Sequence, residues 1–185
     1  MVSLNCLRSG LRRQLSATRV ALQLLALTAV RPGELRMAHW EEFDLDDAFW
    51  TIPAHRMKMR KTHKLPLAPQ AVDLLRGLLE RSSAGGALFP SLKRPDVVIS
   101  ENTLNKALVR LGFGGEMVSH GFRAMFSSQA NEHSTFSSDA IELSLGHAIG
   151  GGAVRRAYGR HELLDERRAL ACWWADRLDM LRRKI

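Results

Sequence analysis

Apolar residues in the first third of the chain recur three and four positions apart. Val20, Leu24 and Leu27, with their neighbours, predict a buried helix over Ala17–Val30. Pro32-Gly33 interrupts it, and Glu34 to Ala38 reads as a short helical turn. The period then changes. Phe49-Trp50-Thr51-Ile52 and His63-Lys64-Leu65-Pro66-Leu67 have the aromatic and β-branched composition of strands. The acidic run Glu41, Glu42, Asp44, Asp46 and Asp47 surrounds further strand-like pieces, and Arg56-Met57-Lys58-Met59-Arg60-Lys61 forms a basic turn. The region predicts a small three-stranded antiparallel sheet.

Helical spacing returns downstream. Pro69 opens a helix to Arg81, with Val72, Leu75 and Leu79 on one face. Ser100 is placed to cap a helix through Leu111, and Ser119 one from His120 to about Glu132. Ser137 or Ser138 starts a third, which Gly146 ends. After a Gly150-Gly151-Gly152 joint, a short basic helix carries Tyr158. A long amphipathic helix from Glu162 to Arg183 follows, with Leu163, Leu170, Trp174, Leu178 and Leu181 as its stripe. Its adjacent tryptophans suit packing on its own domain or on a neighbouring protomer. The fold class is α+β, mainly α-helical with a small three-stranded antiparallel sheet. Residues 1–16 read as a lead-in, and 17–185 as one domain.

A length of 185 residues is enough to bury a core. The net charge of +8 favours a polyanionic partner, nucleic acid first. Two cysteines, Cys6 and Cys172, make neither a disulfide framework nor a zinc site, and a reducing compartment is the default. The apolar stretch Val20–Val30 is too short to span a bilayer. Neither His-Glu-x-x-His, a cysteine pair nor Gly-x-x-x-x-Gly-Lys occurs, so no metal and no cofactor is expected.

Several polar residues stand where they invite chemistry. His120-Gly121-Phe122-Arg123 puts two side chains on one face of a helix's first turn, where free N–H groups favour an anion. Arg123 adds a fork for phosphate oxygens. Arg31-Pro32-Gly33-Glu34 sets a second arginine in a helix break, with Glu34 near enough to orient it. Lys58 lies on the basic turn between strands, and His147 follows Gly146 at a helix end. Tyr158, the only tyrosine, is flanked by arginines. Each has an ordinary reading in isolation: a surface arginine, a capping histidine, a salt bridge, a phosphate-seeking cation.

Taken in order, Arg31-x-x-Glu34, the hairpin Lys58, His120-x-x-Arg123, Leu-Gly-His147 and Tyr158 resemble the tyrosine recombinase (phage integrase) family. The flanking text does too: Leu25 to Leu35, Trp50-Thr51-Ile52-Pro53 through Met59, and Glu166-Arg167-Arg168-Ala169 followed by Trp173-Trp174 look like integrases of prophages and genomic islands. The resemblance runs from about residue 18 to 180 and implies the family's catalytic-core fold. The family's arm-binding and core-binding domains have no counterpart in the sequence, and glycines stand at 150–152 where relatives have more polar residues.

The resemblance implies a site-specific recombinase that cleaves and rejoins DNA through a covalent 3′-phosphotyrosine. Tyr158 would be the nucleophile; Arg31, Arg123 and His147 would hold the phosphate; His120 would be the base and Lys58 the acid. Glu34 would support Arg31. Arg56, Arg60, Lys61 and Lys64, with Arg155 and Arg156, would touch DNA backbone. The expected partner is double-stranded DNA, with a tetramer assembled on it and a monomer or weak oligomer without it. The expected location is a bacterial cytoplasm. A DNA-binding remnant without catalysis, or a type IB topoisomerase-like enzyme, are the alternatives. Without DNA, the Tyr158 helix is expected to be mobile or displaced from the arginines.

Overall fold

The computed structural model describes residues 17–81, 86–91, 94–148 and 163–183. Helix α1 spans 17–28, and α2, Pro32–Arg36, follows a break at Ala29, which has φ 49°. Strands β1 (Phe43–Asp44), β2 (Phe49–Ile52) and β3 (His63–Pro66) form an antiparallel sheet in that order. Then come α3 (Pro69–Leu79), α4 (Thr103–Leu108), α5 (Gly121–His133), α6 (Ser138–Ser144) and α7 (Leu164–Arg182). The expected mainly helical fold with one small sheet is the fold observed.

The β1–β2 turn is held by Asp44, whose Oδ1 accepts from the N–H groups of Asp46 and Asp47 at 3.2 and 2.9 Å. In the β2–β3 ladder Trp50 faces Leu65 and Ile52 faces His63. All four are buried, because side chains directly opposite one another share a face of the sheet.

Two apolar cores result. The larger joins α1, α2, the sheet, α3 and α4 through Leu24, Leu25, Leu35, Trp50, Leu75 and Leu104. The smaller joins α5, α6 and α7 through Phe126, Ile141, Leu145, Leu170 and Trp174. Ala29, at the α1–α2 break, belongs to the smaller core, while Leu25 and Val30 belong to the larger. The residues after Ala29 therefore lie at the seam.

Helix α7 packs on its own domain. Leu170 and Trp174 are fully buried, Trp174 Nε1 donates to the Ala26 carbonyl at 2.7 Å, and Phe126 meets the Trp174 ring edge-on. Arg167 donates to the Lys64 carbonyl at 2.8 Å, tying α7 to β3. This is the packing within the domain that was one of the two expectations for this helix. Its stripe is shorter than expected, since Leu181 is exposed, as is Leu79 at the end of α3.

Three local expectations are corrected. The helix expected from Ser100 to Leu111 begins at Thr103 and gives way to a π-helical turn, Val109–Phe113, because Gly112 adopts φ 94°. Ser100 contributes through its carbonyl, which accepts from Thr103 N at 3.0 Å. Ser119 does not cap α5. The N-cap is His120, and Ser119 sits in the preceding turn, its N–H held by Asn105 Oδ1 at 2.8 Å. Ser137 does cap α6, accepting from Ala140 N at 3.1 Å. Among the described residues no helix is long and apolar enough to cross a membrane.

Candidate active site

Arg31 occupies the N-cap of α2, and Glu34 is the third residue of that helix. One Glu34 oxygen accepts from Arg31 N at 2.9 Å; the other meets Arg31 Nη1 at 2.7 Å. This is a capping box in which the N-cap side chain is a guanidinium. Glu34 is buried, whereas the Arg31 side chain keeps about a quarter of its surface in solvent. The carboxylate thus fixes the arginine from below and leaves its outer edge open. Pro32 at the first helical position starts α2 without wasting an N–H.

Arg123 comes from the first turn of α5 and is buried. Its Nη1 donates to the Ala29 carbonyl and its Nη2 to the Leu145 carbonyl, both at 2.7 Å. Nη2 also lies 3.1 Å from His147 Nε2. Burial, and next the Arg31 charge, push the Arg123 pKa down to about 10, against the pull of Glu34 and Glu142. The group stays charged at neutral pH. The two guanidiniums repel one another, and Glu34 and Glu142 offset that repulsion.

His147 is presented by the end of α6. Gly146 has φ 66°, its N–H bonds to Leu143 O at 3.0 Å, and His147 N bonds to Glu142 O at 3.0 Å. This is a Schellman ending, which needs a left-handed residue where Gly146 stands. It brings position 147 back beside position 142, and His147 Nδ1 lies 2.7 Å from Glu142 Oε2. A Cβ on Gly146 would lie 3.1 Å from Met57 Cε and 3.7 Å from His63 Nε2, so the hairpin flanks pack against this turn.

Arg31 with Glu34, and Arg123 with His147, therefore lie at the seam between the cores. Lys58 and His120 are exposed, outside this hydrogen-bonded cluster. Lys58 follows Met57, which is buried, on the β2–β3 connection; His120 sits at the mouth of α5. Tyr158, Arg155, Arg156 and the glycines at 150–152 lie outside the described residues, and so does the expectation about the Tyr158 helix.

The accessory cations divide. Arg60 and Lys61 are exposed on the β2–β3 connection. Lys64 is half-buried, with Nζ 4.0 Å over the Phe49 ring. Arg56 is a correction. Its guanidinium pairs with Glu42 inside the protein, both side chains more than nine-tenths buried, and donates to the Glu34 carbonyl at 3.3 Å. It braces α2 rather than facing solvent, because the 3₁₀ turn Ala54–Arg56 bends it inward.

Two residues near the site were not expected. His63 is buried beneath the Gly146 turn, and its pKa is lowered to about 3 by burial and then by Arg167. Its signal was alternation: two residues before Leu65, it shares that residue's buried face. Glu142 was signalled by Gly146, since a glycine-terminated helix brings positions 142 and 147 together.

Residues 9–158 match the Phage integrase family model. The chain belongs to the phage integrase family. The matched region starts within the expected lead-in and ends at Tyr158. The integrase of Enterobacteria phage P4 is 43% identical over 182 residues, covering 90% of this chain and 41% of that protein. Prophage integrase IntA of Escherichia coli K12 is 40% identical over 160 residues, covering 86% of this chain and 38% of that one. The chain thus spans about two-fifths of these curated relatives. The integrase of mycobacterium phage Brujita superimposes with a TM-score of 0.63 at 18% identity, over 88% of this chain and 55% of that one. XerA recombinase gives 0.55 at 21% identity, over 83% and 62%. Both likenesses concern the fold of this integrase-family chain.

Proposed function

We propose that residues 17–185 form the catalytic domain of a site-specific DNA recombinase that cuts and rejoins strands through a 3′-phosphotyrosine on Tyr158. The observation that carries this reading is the placing at one seam of two bonded pairs, Arg31 with Glu34 and Arg123 with His147, with Arg123 anchored to the Ala29 carbonyl two residues before Arg31. The matches to named integrases support it.

In the proposed reaction the Tyr158 oxygen attacks the scissile phosphorus and the bond to the 5′ oxygen breaks. A free phenol, with a pKa of about 10, is scarcely ionised at neutral pH. His120 takes its proton as the bond forms. Arg31 and Arg123 hold the non-bridging oxygens while charge accumulates, and His147 joins them. A donor of this kind typically contributes about 10²–10³ in rate. Lys58 gives its proton to the leaving 5′ oxygen, a poor leaving group otherwise. The tyrosyl ester keeps the phosphodiester energy, so a 5′ hydroxyl from a second duplex reseals the strand without a nucleotide cofactor.

The partner in this reading is the core of an attachment site in double-stranded DNA. The protein assembles there as a tetramer, is a monomer or weak oligomer without DNA, and works in the cytoplasm. Arg60, Lys61, Lys64, Arg155 and Arg156 contribute backbone contacts that weaken steeply with salt.

The test is covalent trapping on a nicked duplex bearing the attachment-site core. Wild type forms an SDS-resistant protein–DNA adduct, and Tyr158→Phe forms none while still binding. Binding without an adduct in wild type would reduce the domain to a DNA-binding module.

A further inference from the structure

We infer that Glu142 is a positioning residue for His147. It orients the imidazole with its Nε2 lone pair toward Arg123, and it holds the charge when that nitrogen takes up a proton against a bound phosphate. The inference rests on the proposed phosphate-handling role of the Arg31–Arg123 pair.

The geometry begins with the end of α6. The Schellman turn at Gly146 places His147 N on the Glu142 carbonyl, so the two side chains leave the backbone as neighbours. Nδ1 of His147 is then 2.7 Å from Glu142 Oε2, and Nε2 is 3.1 Å from Arg123 Nη2. A guanidinium has only donors. Nε2 must therefore accept, and the ring hydrogen sits on Nδ1, donated to the carboxylate. A carboxylate behind a histidine sets the tautomer and the orientation of the ring.

The consequence concerns the phosphate. In the free protein His147 offers no hydrogen to an anion between Arg31 and Arg123; it offers a lone pair, which repels oxygen. One proton from solvent, added to Nε2, turns that lone pair into a donor; the bond from Arg123 Nη2 is given up, and the Nδ1 bond to Glu142 is kept. Among the described residues, the charged groups bonded to the ring are Arg123 from α5 and Glu142 from α6, and Arg31 and Glu34 of the α2 segment act on Arg123. The two arginines oppose a further positive charge there. Glu142 and the incoming anion offset it. Beneath the turn lies His63 of β3, which burial keeps neutral. His147 and Glu142 remain 42% and 44% exposed, so the ring is within reach of solvent protons.

Nitrogen-15 NMR of the His147 ring in the 185-residue chain tests this, with sodium sulfate as the anion because it does not titrate near neutral pH. In wild type the Nδ1–H form dominates, and sulfate converts Nε2 to its protonated state. Glu142→Ala lowers the ratio of Nδ1–H to Nε2–H forms about 5-fold, as suits a half-exposed contact, and removes the sulfate response. Glu142→Gln still accepts from Nδ1, so it keeps the tautomer and loses only the sulfate-driven protonation. Several results would overturn the inference: a dominant Nε2–H form in wild type, no response of wild type to sulfate, a ratio unchanged in Glu142→Ala, or an equal sulfate response in all three proteins. Failure to trap a Tyr158 adduct would remove the recombinase reading and leave these nitrogen signals as they are.

Discussion

Arg123 donates 2.7 Å to the carbonyl of Ala29, two residues before Arg31. One guanidinium thus fixes the backbone that carries the other. The same group reaches Leu145 O at 2.7 Å and spans the seam between the cores. A lysine at 123 keeps a charge but has no planar fork to meet both carbonyls. Arg123→Lys is expected to lose about 1.5–3 kcal/mol of stability, the worth of a charge-assisted hydrogen bond. Adduct formation is expected to fall by about 10²–10³. Urea unfolding and covalent trapping measure the two effects, and a variant with native stability would show that the double anchor is not a structural one.

Arg56 and Arg60 stand four positions apart on one basic turn and are expected to behave oppositely. Arg56 is buried against Glu42, and removing one partner of a buried pair costs about 3–5 kcal/mol. Arg60 is exposed. Arg56→Ala should therefore lower the melting temperature, and Arg60→Ala should leave it unchanged. Arg60→Ala should instead reduce the slope of log affinity against log salt on duplex DNA by about 1. Equal melting temperatures for the two variants would contradict the inward placement of Arg56.

The contrast between these arginines indicates what the sequence made legible. Periodicity located α1, the sheet, α3 and α7, because apolar spacing records burial directly. Motif order located the arginines, Glu34 and His147. It could not reveal which cation of a run turns inward, since Arg56 is drawn in by Glu42, fourteen residues earlier. It also placed the α5 cap one residue early: His120 takes that position, and Ser119 lies in the turn before it, its N–H held by Asn105 of α4. The unforeseen neighbours, His63 and Glu142, depend on strand register and on the Gly146 turn. Both are tertiary consequences of local signals that were present.

Gly146 is where backbone conformation meets the site. Its φ of 66° costs an alanine roughly 1–2 kcal/mol. The added Cβ would also stand 3.1 Å from Met57 Cε, a contact that requires the methionine tip to move. Gly146→Ala is expected to lose about 1–2 kcal/mol from the backbone alone. Pairing it with Met57→Ala removes the crowding and leaves the φ penalty. A double-mutant cycle in urea should therefore show the second substitution costing less beside Gly146→Ala than by itself. Simple additivity would mean that Met57 swings away freely and does not dock the hairpin on this turn.

His63 gives the fold a pH dependence. Its pKa is lowered from 6.5 to about 3 by burial chiefly, then by Arg167, while a backbone hydrogen bond with Ser144 pulls the other way. Below pH 6.5 the unfolded chain binds a proton at this position and the folded chain does not, so acid favours unfolding. The associated stability is complete above that value, falls as pH drops, and stops changing near pH 3, where the folded state binds the proton too. The slope is at most about 1.4 kcal/mol per pH unit for one group. Carboxylates add their own acid sensitivity, so the measurement is a difference. Leucine at 63 should fit beside Ile52, opposite it on β2, and cannot titrate. The stability of wild type minus that of His63→Leu, from urea unfolding, should be constant above pH 6.5 and decline steadily below it. A constant difference down to pH 4 would mean that the folded protein admits the proton and that His63 is not held neutral beneath the Gly146 turn.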